Sequence, residues 1–144
     1  MSFLLDTSVF AEPARPAPAP RVLAWLRAQA PARLHLSVLT LGELQRGIER
    51  LTDGRRRRPL QAWIDTELPR LFAGRVLPVS DAVARDWGRL SALAEEGGRP
   101  LPLTDGLLLA TALSHGLILV TRHAAECAGF GVPVLNPWTE TPRP

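Results

Sequence analysis

The sequence contains no lysine, and all 17 of its basic residues are arginines. Arginine does not titrate until very high pH, so the sequence pI reaches about 10.8 although the formal net charge is only +3. A high pI of this origin is weak evidence for nucleic-acid binding. A compositional bias of the genome is the simpler explanation for an arginine-, alanine- and proline-rich chain.

Cysteine and long apolar runs are also scarce. Cys127 is the single cysteine, which excludes an internal disulfide, and no cysteine–histidine cluster has zinc spacing. The N-terminus lacks the basic and apolar segments of a signal peptide. The longest apolar stretch, residues 107–120, is interrupted by Ser114, His115 and Gly116 and is too short to span a bilayer. These absences predict a soluble protein of the reducing cytoplasm.

The apolar residues that are present fall into short segments. With 46% hydrophobic residues in 144, the chain has enough for one core, and it shows no domain boundary. Short apolar strands, the first at Phe3–Leu5, alternate with helices, and the connections are too long for hairpins. The pattern predicts an α/β fold with one domain, residues 1–144. Its central parallel sheet has four to five strands and helices on both faces.

Two further features of the sequence concern the start of one helix and the environment of the tryptophans. Thr40, with Glu43 three residues later, has the pattern of a capping box, so Thr40 is the predicted N-cap of a helix. The four tryptophans occur at helical or terminal apolar positions, which favours packing in the core over base stacking. They are Trp25, Trp63, Trp87 and Trp138.

Four acidic residues lie at the ends of apolar segments. Asp6 directly follows the first strand, Glu43 lies one turn into a helix, Asp105 opens another helix, and Glu126 follows the strand that ends at Val120. Sites in parallel α/β sheets form at the carboxyl ends of strands, so one crevice can collect all four carboxylates. Clustered carboxylates repel one another unless a cation or a proton compensates them. A site for Mg²⁺ or Mn²⁺ is therefore the prediction.

Each acid also has an ordinary structural explanation. Asp6 is able to cap a turn, Glu43 to complete a capping box, and Asp105 to stabilise a helix dipole. Glu126 lies in an irregular segment, where a solvated surface residue is equally expected. The joint placement of the four, rather than any one of them, favours a functional site.

The chain closely resembles PIN-domain proteins, and among them the VapC-type toxins of bacterial toxin–antitoxin pairs. The resemblance covers essentially the whole chain, and its motifs occur in the family's order and at its spacing. They are residues 3–9 (FLLDTSV), 39–48 (LTLGELQRGI), 105–112 (DGLLLATA), 119–122 (LVTR) and 131–138 (GVPVLNPW).

The resemblance implies a Mg²⁺- or Mn²⁺-dependent endoribonuclease, commonly a homodimer, that is blocked by a small VapB-like antitoxin. It implies that Asp6 and Asp105 are the principal metal ligands. Glu43 either binds metal or positions and deprotonates the attacking water. The sequence departs from the family pattern at Ser8, often Asn, and at Gly106, often Ala.

The fourth acid of the family motif is less well matched. His123 stands where the family has Asn or Asp, and Glu126-Cys127 where it has an acid followed by Phe. Glu126 is the predicted fourth acid, and His123 is its rival as a metal or phosphate ligand.

Arginines near these motifs are candidates for contacts with the RNA backbone. They are Arg46, Arg50, Arg122 and the run Arg55–Arg58, the last of which also has the composition of a solvated charge run. Two other functions stay open at this point. One is a non-catalytic protein that binds an antitoxin or RNA, and the other is a structure-selective DNA nuclease, which the small size disfavours.

Overall fold

A parallel sheet of five short strands forms the centre of the computed structural model, which describes residues 1–139. The order across the sheet is β3-β2-β1-β4-β5, and every neighbouring pair is parallel. The predicted sheet is confirmed. The strands are β1 (Phe3–Leu5), β2 (Leu34–Ser37), β3 (Val76–Leu77), β4 (Ile118–Val120) and β5 (Val134–Leu135).

In the described part of the chain, eight α-helices connect and cover the strands, and a π-helical turn, Trp63–Glu67, joins two of them. No helix within residues 1–139 is both long and apolar enough to cross a membrane. The helices are α1 (Thr7–Ala11), α2 (Pro20–Arg27), α3 (Val38–Glu49), α4 (Gly54–Ala62), α5 (Leu68–Leu71), α6 (Asp81–Glu96), α7 (Leu103–His115) and α8 (Ala124–Cys127).

The central strand β1 is buried on both faces. Successive side chains of a strand point to opposite faces, and here Leu4 packs into one hydrophobic cluster with α6 and α7. Phe3 and Leu5 pack into a second cluster with α1, α2 and β2. The ring of Phe3 meets that of Trp25 edge to face at 5.0 Å. Two cores therefore hold β1, and the residue that follows it has a fixed position.

The strand order reverses beside β1, because the chain first runs outward to β2 and β3 and later returns to add β4 and β5. Such switch points open a crevice at the carboxyl ends of the strands. The backbone N–H of Asp6 donates to Val120 O at 2.9 Å, and that of Thr121 donates to Leu135 O at 2.9 Å. Asp6 and Thr121 therefore flank the crevice.

Helix α3 begins three residues before the predicted position. Ser37 is its N-cap, with the hydroxyl accepting from the N–H of Leu39 at 3.0 Å. The prediction that Thr40 is the N-cap is wrong. Ser37 is the last residue of β2, so the chain turns into the helix where its pairing with Leu77 ends. Thr40 instead lies fully buried inside α3.

The tryptophans do not share one environment. Trp25 is buried, as predicted, but Trp63 is 36% exposed, so its assignment to the core is wrong. Trp63 lies in the π-helical turn and stacks on Phe10 at 5.8 Å. Pro69 follows that turn, and its missing N–H removes one regular helical hydrogen bond there.

The start of α7 packs closely against α6. A Cβ placed on the buried Gly106 would lie 3.0 Å from Cδ1 and 3.1 Å from Nε1 of Trp87. Trp87 therefore occupies the space that an alanine methyl group would need. The glycine at this position, which departs from the family pattern, is matched to its aromatic neighbour and fixes how closely Asp105 approaches α6.

Gly106→Ala is expected to destabilise the protein in spite of alanine's helix propensity. The gain of about 1 kcal/mol in propensity is opposed by overpacking, which costs about 1–3 kcal/mol in a filled core. In a Trp87→Leu background the same substitution should be neutral or stabilising. Chemical denaturation of the double-mutant cycle measures this coupling, and additive changes in the free energy of unfolding would contradict the packing explanation.

Gly88→Ala is the matched control for this cycle. Gly88 lies exposed in the middle of α6, and a Cβ there would meet nothing within 4 Å. Gly88→Ala should therefore show only the stabilisation expected from helix propensity, both with Trp87 present and in the Trp87→Leu background.

Candidate active site

Asp6 is the buried centre of the site, with 7% of its surface exposed. Its Oδ2 accepts hydrogen bonds from the hydroxyls of Ser8 at 2.8 Å and Thr121 at 3.0 Å. Thr121 Oγ1 in turn accepts from the N–H of His123 at 3.0 Å. Hydrogen bonds to a carboxylate favour its charged form and fix its orientation. Ser8 therefore holds Asp6, as expected for the neighbour that follows it in the motif.

Asp105 lies in the first turn of α7 with 12% of its side chain exposed. Its Oδ1 lies 3.3 Å from Nδ1 of His123. This contact is the main cause that raises the pKa of His123, partial burial opposes it, and the charges of Asp105, Asp6 and Glu126 add to the increase. The imidazole thus carries the proton to higher pH than a free histidine and offsets part of the local negative charge.

Cys127 ends α8 and is buried behind the acids. Burial, followed by the charges of Asp105, Asp6 and Glu126, raises the pKa of its thiol to about 12. It stays protonated at neutral pH, which excludes a nucleophilic thiolate. The same three carboxylates act on both His123 and Cys127. Asp6 and Asp105 are joined at the turn that follows β4, Asp6 through the Thr121 hydroxyl and Asp105 through His123.

Glu43 joins the site from the side of α3. Its Oε1 accepts a hydrogen bond of 2.9 Å from Thr7 Oγ1, which also lies 2.9 Å from Thr40 Oγ1. Thr7 directly follows Asp6, so the start of α1 connects the two acids. The carboxylate of Glu43 is exposed to solvent. Because Ser37 and not Thr40 is the N-cap of α3, Glu43 is not part of a capping box, and its carboxylate is accessible from the crevice.

Glu126 lies exposed on α8, and its position depends on the backbone. Arg99 donates from Nη2 to the carbonyl oxygens of Ala125 at 3.1 Å and Glu126 at 3.4 Å. The turn is fixed in this way, but none of the described residues forms a hydrogen bond or ion pair with the Glu126 carboxylate. Sequence patterns gave no signal for Arg99, because its partners are carbonyl groups 26 and 27 residues away.

The acids are grouped, but they do not form a closed cage. Within residues 1–139, no three His, Cys, Asp or Glu side chains approach closely enough to form a ready-made metal cluster. The arrangement differs in this respect from a structural zinc site, in which four protein ligands surround the ion.

An apolar groove of about 750 Å³ adjoins the site between α1, α3 and the α4 region. Its lining includes Phe10, Leu44, Ile48 and Trp63, and Thr7 and Glu43 also belong to it. One acid of the site is thus part of the groove wall. The exposure of Trp63 is explained by this position.

Comparison with known proteins identifies the family. The family model of the PIN domain matches residues 3–124, which is most of the chain, so the protein belongs to the PIN domain family. It is 36% identical to Toxin FitB from Neisseria gonorrhoeae over 94% of this chain and 97% of that protein. It is also 36% identical to the VapC ribonuclease Y4jK from Sinorhizobium fredii, over 94% and 96% of the two chains.

Comparison with solved structures identifies a narrower group within the PIN domain family. The crystal structure of FitAcB from Neisseria gonorrhoeae matches with a TM-score of 0.91 and 36% identity over 96% of this chain and 99% of that one. VapBC-5 from Mycobacterium tuberculosis, of the VapBC family of toxin–antitoxin systems, matches with a TM-score of 0.67 and 29% identity over 93% and 97%. Within the PIN family, the chain is a toxin of the VapC type.

The contact between His123 and Asp105 predicts a measurable titration. The His123 pKa should lie above the ordinary value of about 6.5 and should fall towards it in Asp105→Asn. Because the pKa is raised in the folded state, the contact stabilises the protein fully below the ordinary pKa. That stabilisation is lost as pH rises through the raised pKa. NMR of the imidazole C–H signals measures both values, and an unchanged pKa in Asp105→Asn would contradict the contact.

Proposed function

We propose that the protein is a divalent-metal-dependent endoribonuclease and the toxin of a VapBC-type pair. The observation that carries the proposal is the set of contacts at the switch point of the sheet: Thr121 and His123 join Asp6 to Asp105, and Thr7, which follows Asp6, binds Glu43. The similarity of the protein to a VapC ribonuclease over almost the whole chain supports phosphodiester cleavage as the reaction and RNA as the substrate.

The donor set suits Mg²⁺ or Mn²⁺. Magnesium is usually held by one or two carboxylates, keeps several waters, and takes further oxygen ligands from substrate phosphates. A site with separated carboxylates and no closed cage fits this mode of coordination. Asp6 Oδ2 is occupied by two hydroxyl donors, but no described residue forms a hydrogen bond with Oδ1. Asp6 and Asp105 would hold the ion.

Each residue then has a definable role. When bound, a divalent cation supplies charge compensation for the phosphodiester and lowers the pKa of a coordinated water. Ser8 and Thr121 orient Asp6. Glu43, solvent-exposed and fixed by Thr7, orients the attacking water and accepts its proton. Glu126 is the proposed fourth acid, and His123 contacts Asp105.

Asp6→Asn is expected to reduce RNA cleavage by about 100-fold or more, because it removes the central charge that the buried hydroxyls orient. Cleavage of total cellular RNA with Mn²⁺ present, followed by mapping of the new 5′ ends, measures the effect. The matched control is Ser8→Ala, which retains the carboxylate and removes only one of its two hydroxyl donors, so its loss should be much smaller.

Two outcomes separate the proposal from its rivals. Undiminished cleavage in Asp6→Asn would exclude this mechanism. No cleavage of any cellular RNA by the unmodified protein with Mn²⁺ present, together with intact binding of a partner, would favour a non-catalytic protein. The contact of His123 with Asp105 is the feature that supports such a protein, because it engages one proposed metal ligand.

The apolar groove beside Glu43 is the proposed docking site of a VapB-like antitoxin. The groove is lined mainly by apolar side chains, yet Glu43 places a carboxylate in its wall. A segment that fits both features carries apolar anchors and an arginine or lysine directed at the carboxylates. Such a segment would block the site while it fills the groove.

Trp63→Ala should weaken antitoxin binding by about tenfold or more, since exposed tryptophans in interface pockets are frequent hot spots. The partner to use is the product of the adjacent gene, with affinity measured by calorimetry. Leu113→Ala is the control, because Leu113 is 41% exposed on α7 and does not belong to the groove. Equal losses in both variants would exclude the groove.

Two further expectations belong to this proposal. The cytoplasmic location predicted from the sequence agrees with a single buried thiol that has no partner for a disulfide. The family resemblance also implies a homodimer, and light scattering of the purified protein measures whether it forms.

A further inference from the structure

A stacked cation lies directly beside the acidic site. The guanidinium of Arg122 lies 4.1 Å from the centre of the Trp138 ring. Arg122 follows Thr121, whose hydroxyl binds Asp6, and precedes His123. The side chain therefore leaves the backbone between two residues that contact the proposed metal ligands.

Asn136 fixes both members of this stack. Its Nδ2 donates to the carbonyl oxygen of Arg122 at 3.3 Å, and its Oδ1 accepts from the N–H of Trp138 at 2.9 Å. The loop after β4 and the segment after β5 are thus joined by one amide. The stack is a built feature of the fold, since three separate contacts hold it.

Three arginines in the described part of the chain lie over aromatic rings, and they differ in what their N–H groups do. Arg75 donates to the carbonyls of Pro31, Leu34 and Leu71, and Arg99 to those of Ala125 and Glu126. For Arg122, no described residue accepts a hydrogen bond from the guanidinium or forms an ion pair with it. Stacking occupies only the face of a guanidinium, so its edge stays free to bind an oxyanion in two-point fashion.

The surroundings favour a phosphate of the nucleic-acid backbone as that oxyanion. Grouped carboxylates repel a polyanionic substrate, and a cation fixed next to them reduces this repulsion where the backbone must pass. Since Trp138 has already ordered the side chain, binding costs less conformational entropy than recruiting a free arginine. The arginines of the run Arg55–Arg58 have no comparable aromatic platform.

We propose that Arg122, held on Trp138, is the binding site for an RNA phosphate next to the scissile bond. The inference rests on the proposed function for the identity of the substrate. In this role Arg122 binds substrate, Trp138 is its positioning residue, and Asn136 maintains the geometry of both.

The test measures RNA binding without turnover. In an Asp6→Asn background, a short fluorescein-labelled single-stranded RNA of mixed sequence is titrated by fluorescence anisotropy from about 50 to 200 mM KCl. Arg122→Gln should raise the Kd by about tenfold at the lowest salt and reduce the slope of log K against log salt by about 1. Arg85→Gln removes the same charge from α6 and should leave Kd and slope unchanged.

Two further variants test the role of the stack. Arg122→Lys retains the charge but not the planar fork, so its Kd should lie between those of the parent and Arg122→Gln. Trp138→Phe keeps a smaller ring, and it removes a buried Nε1–H that donates to none of residues 1–139, so no hydrogen bond within that part of the chain is lost. For Trp138→Phe we expect a Kd between those of the parent and Arg122→Gln, and an unchanged melting temperature. In the active protein, Arg122→Gln should raise KM more than it lowers kcat.

Binding and cleavage assays distinguish failure of the phosphate site from failure of the proposed reaction. Equal Kd and slope in the parent and Arg122→Gln, an equal loss in Arg85→Gln, or a loss of antitoxin binding alone would overturn the phosphate site. Absence of RNA binding by the parent would overturn it as well. If the unmodified protein fails to cleave RNA but its binding depends on Arg122, the phosphate site stands and the proposed reaction fails. If the unmodified protein cleaves RNA but its RNA binding does not depend on Arg122, the proposed reaction stands and the phosphate site fails.

Discussion

The placement of one buried carboxylate organises the whole site. Asp6 follows a strand that is held between two hydrophobic cores, and its Oδ2 is fixed by the hydroxyls of Ser8 and Thr121. A buried charge is costly unless it is hydrogen-bonded, so these hydroxyls make the charge tolerable as well as oriented. Because Thr121 directly follows β4 and Ser8 comes from α1, the carboxylate also ties the two sides of the crevice together.

The other charged groups are arranged around that centre with graded exposure. Asp105 is mostly buried and meets a half-exposed imidazole, whereas Glu43 and Glu126 face solvent. His123 and the stacked Arg122 lie next to each other at the turn after β4, where His123 contacts Asp105. An apolar groove adjoins Glu43 on the side of α3.

The sequence was sufficient to predict the parallel sheet and the position of Asp6 at the carboxyl end of its first strand, because alternation and strand ends are local patterns. The start of α3 was not predictable in this way. Ser37 and Thr40 are both good N-caps, and the choice depends on where β2 stops pairing with β3. Periodicity marked Trp63 as apolar without showing that it lines an open groove, where it stacks on Phe10 and stays 36% exposed. Site residues proposed as metal ligands remain predictions.

The hydroxyl of Thr7 has a single hydrogen, and it is donated to the Glu43 carboxylate. An ionised carboxylate only accepts, so the short contact between Thr7 and Thr40 requires Thr40 to be the donor. The three groups form a relay with one direction, from the buried interior of α3 across α1 to the solvent-facing acid. The position of the exposed Glu43 carboxylate is thus coupled to the orientation of a buried hydroxyl, two contacts away, between α1 and α3.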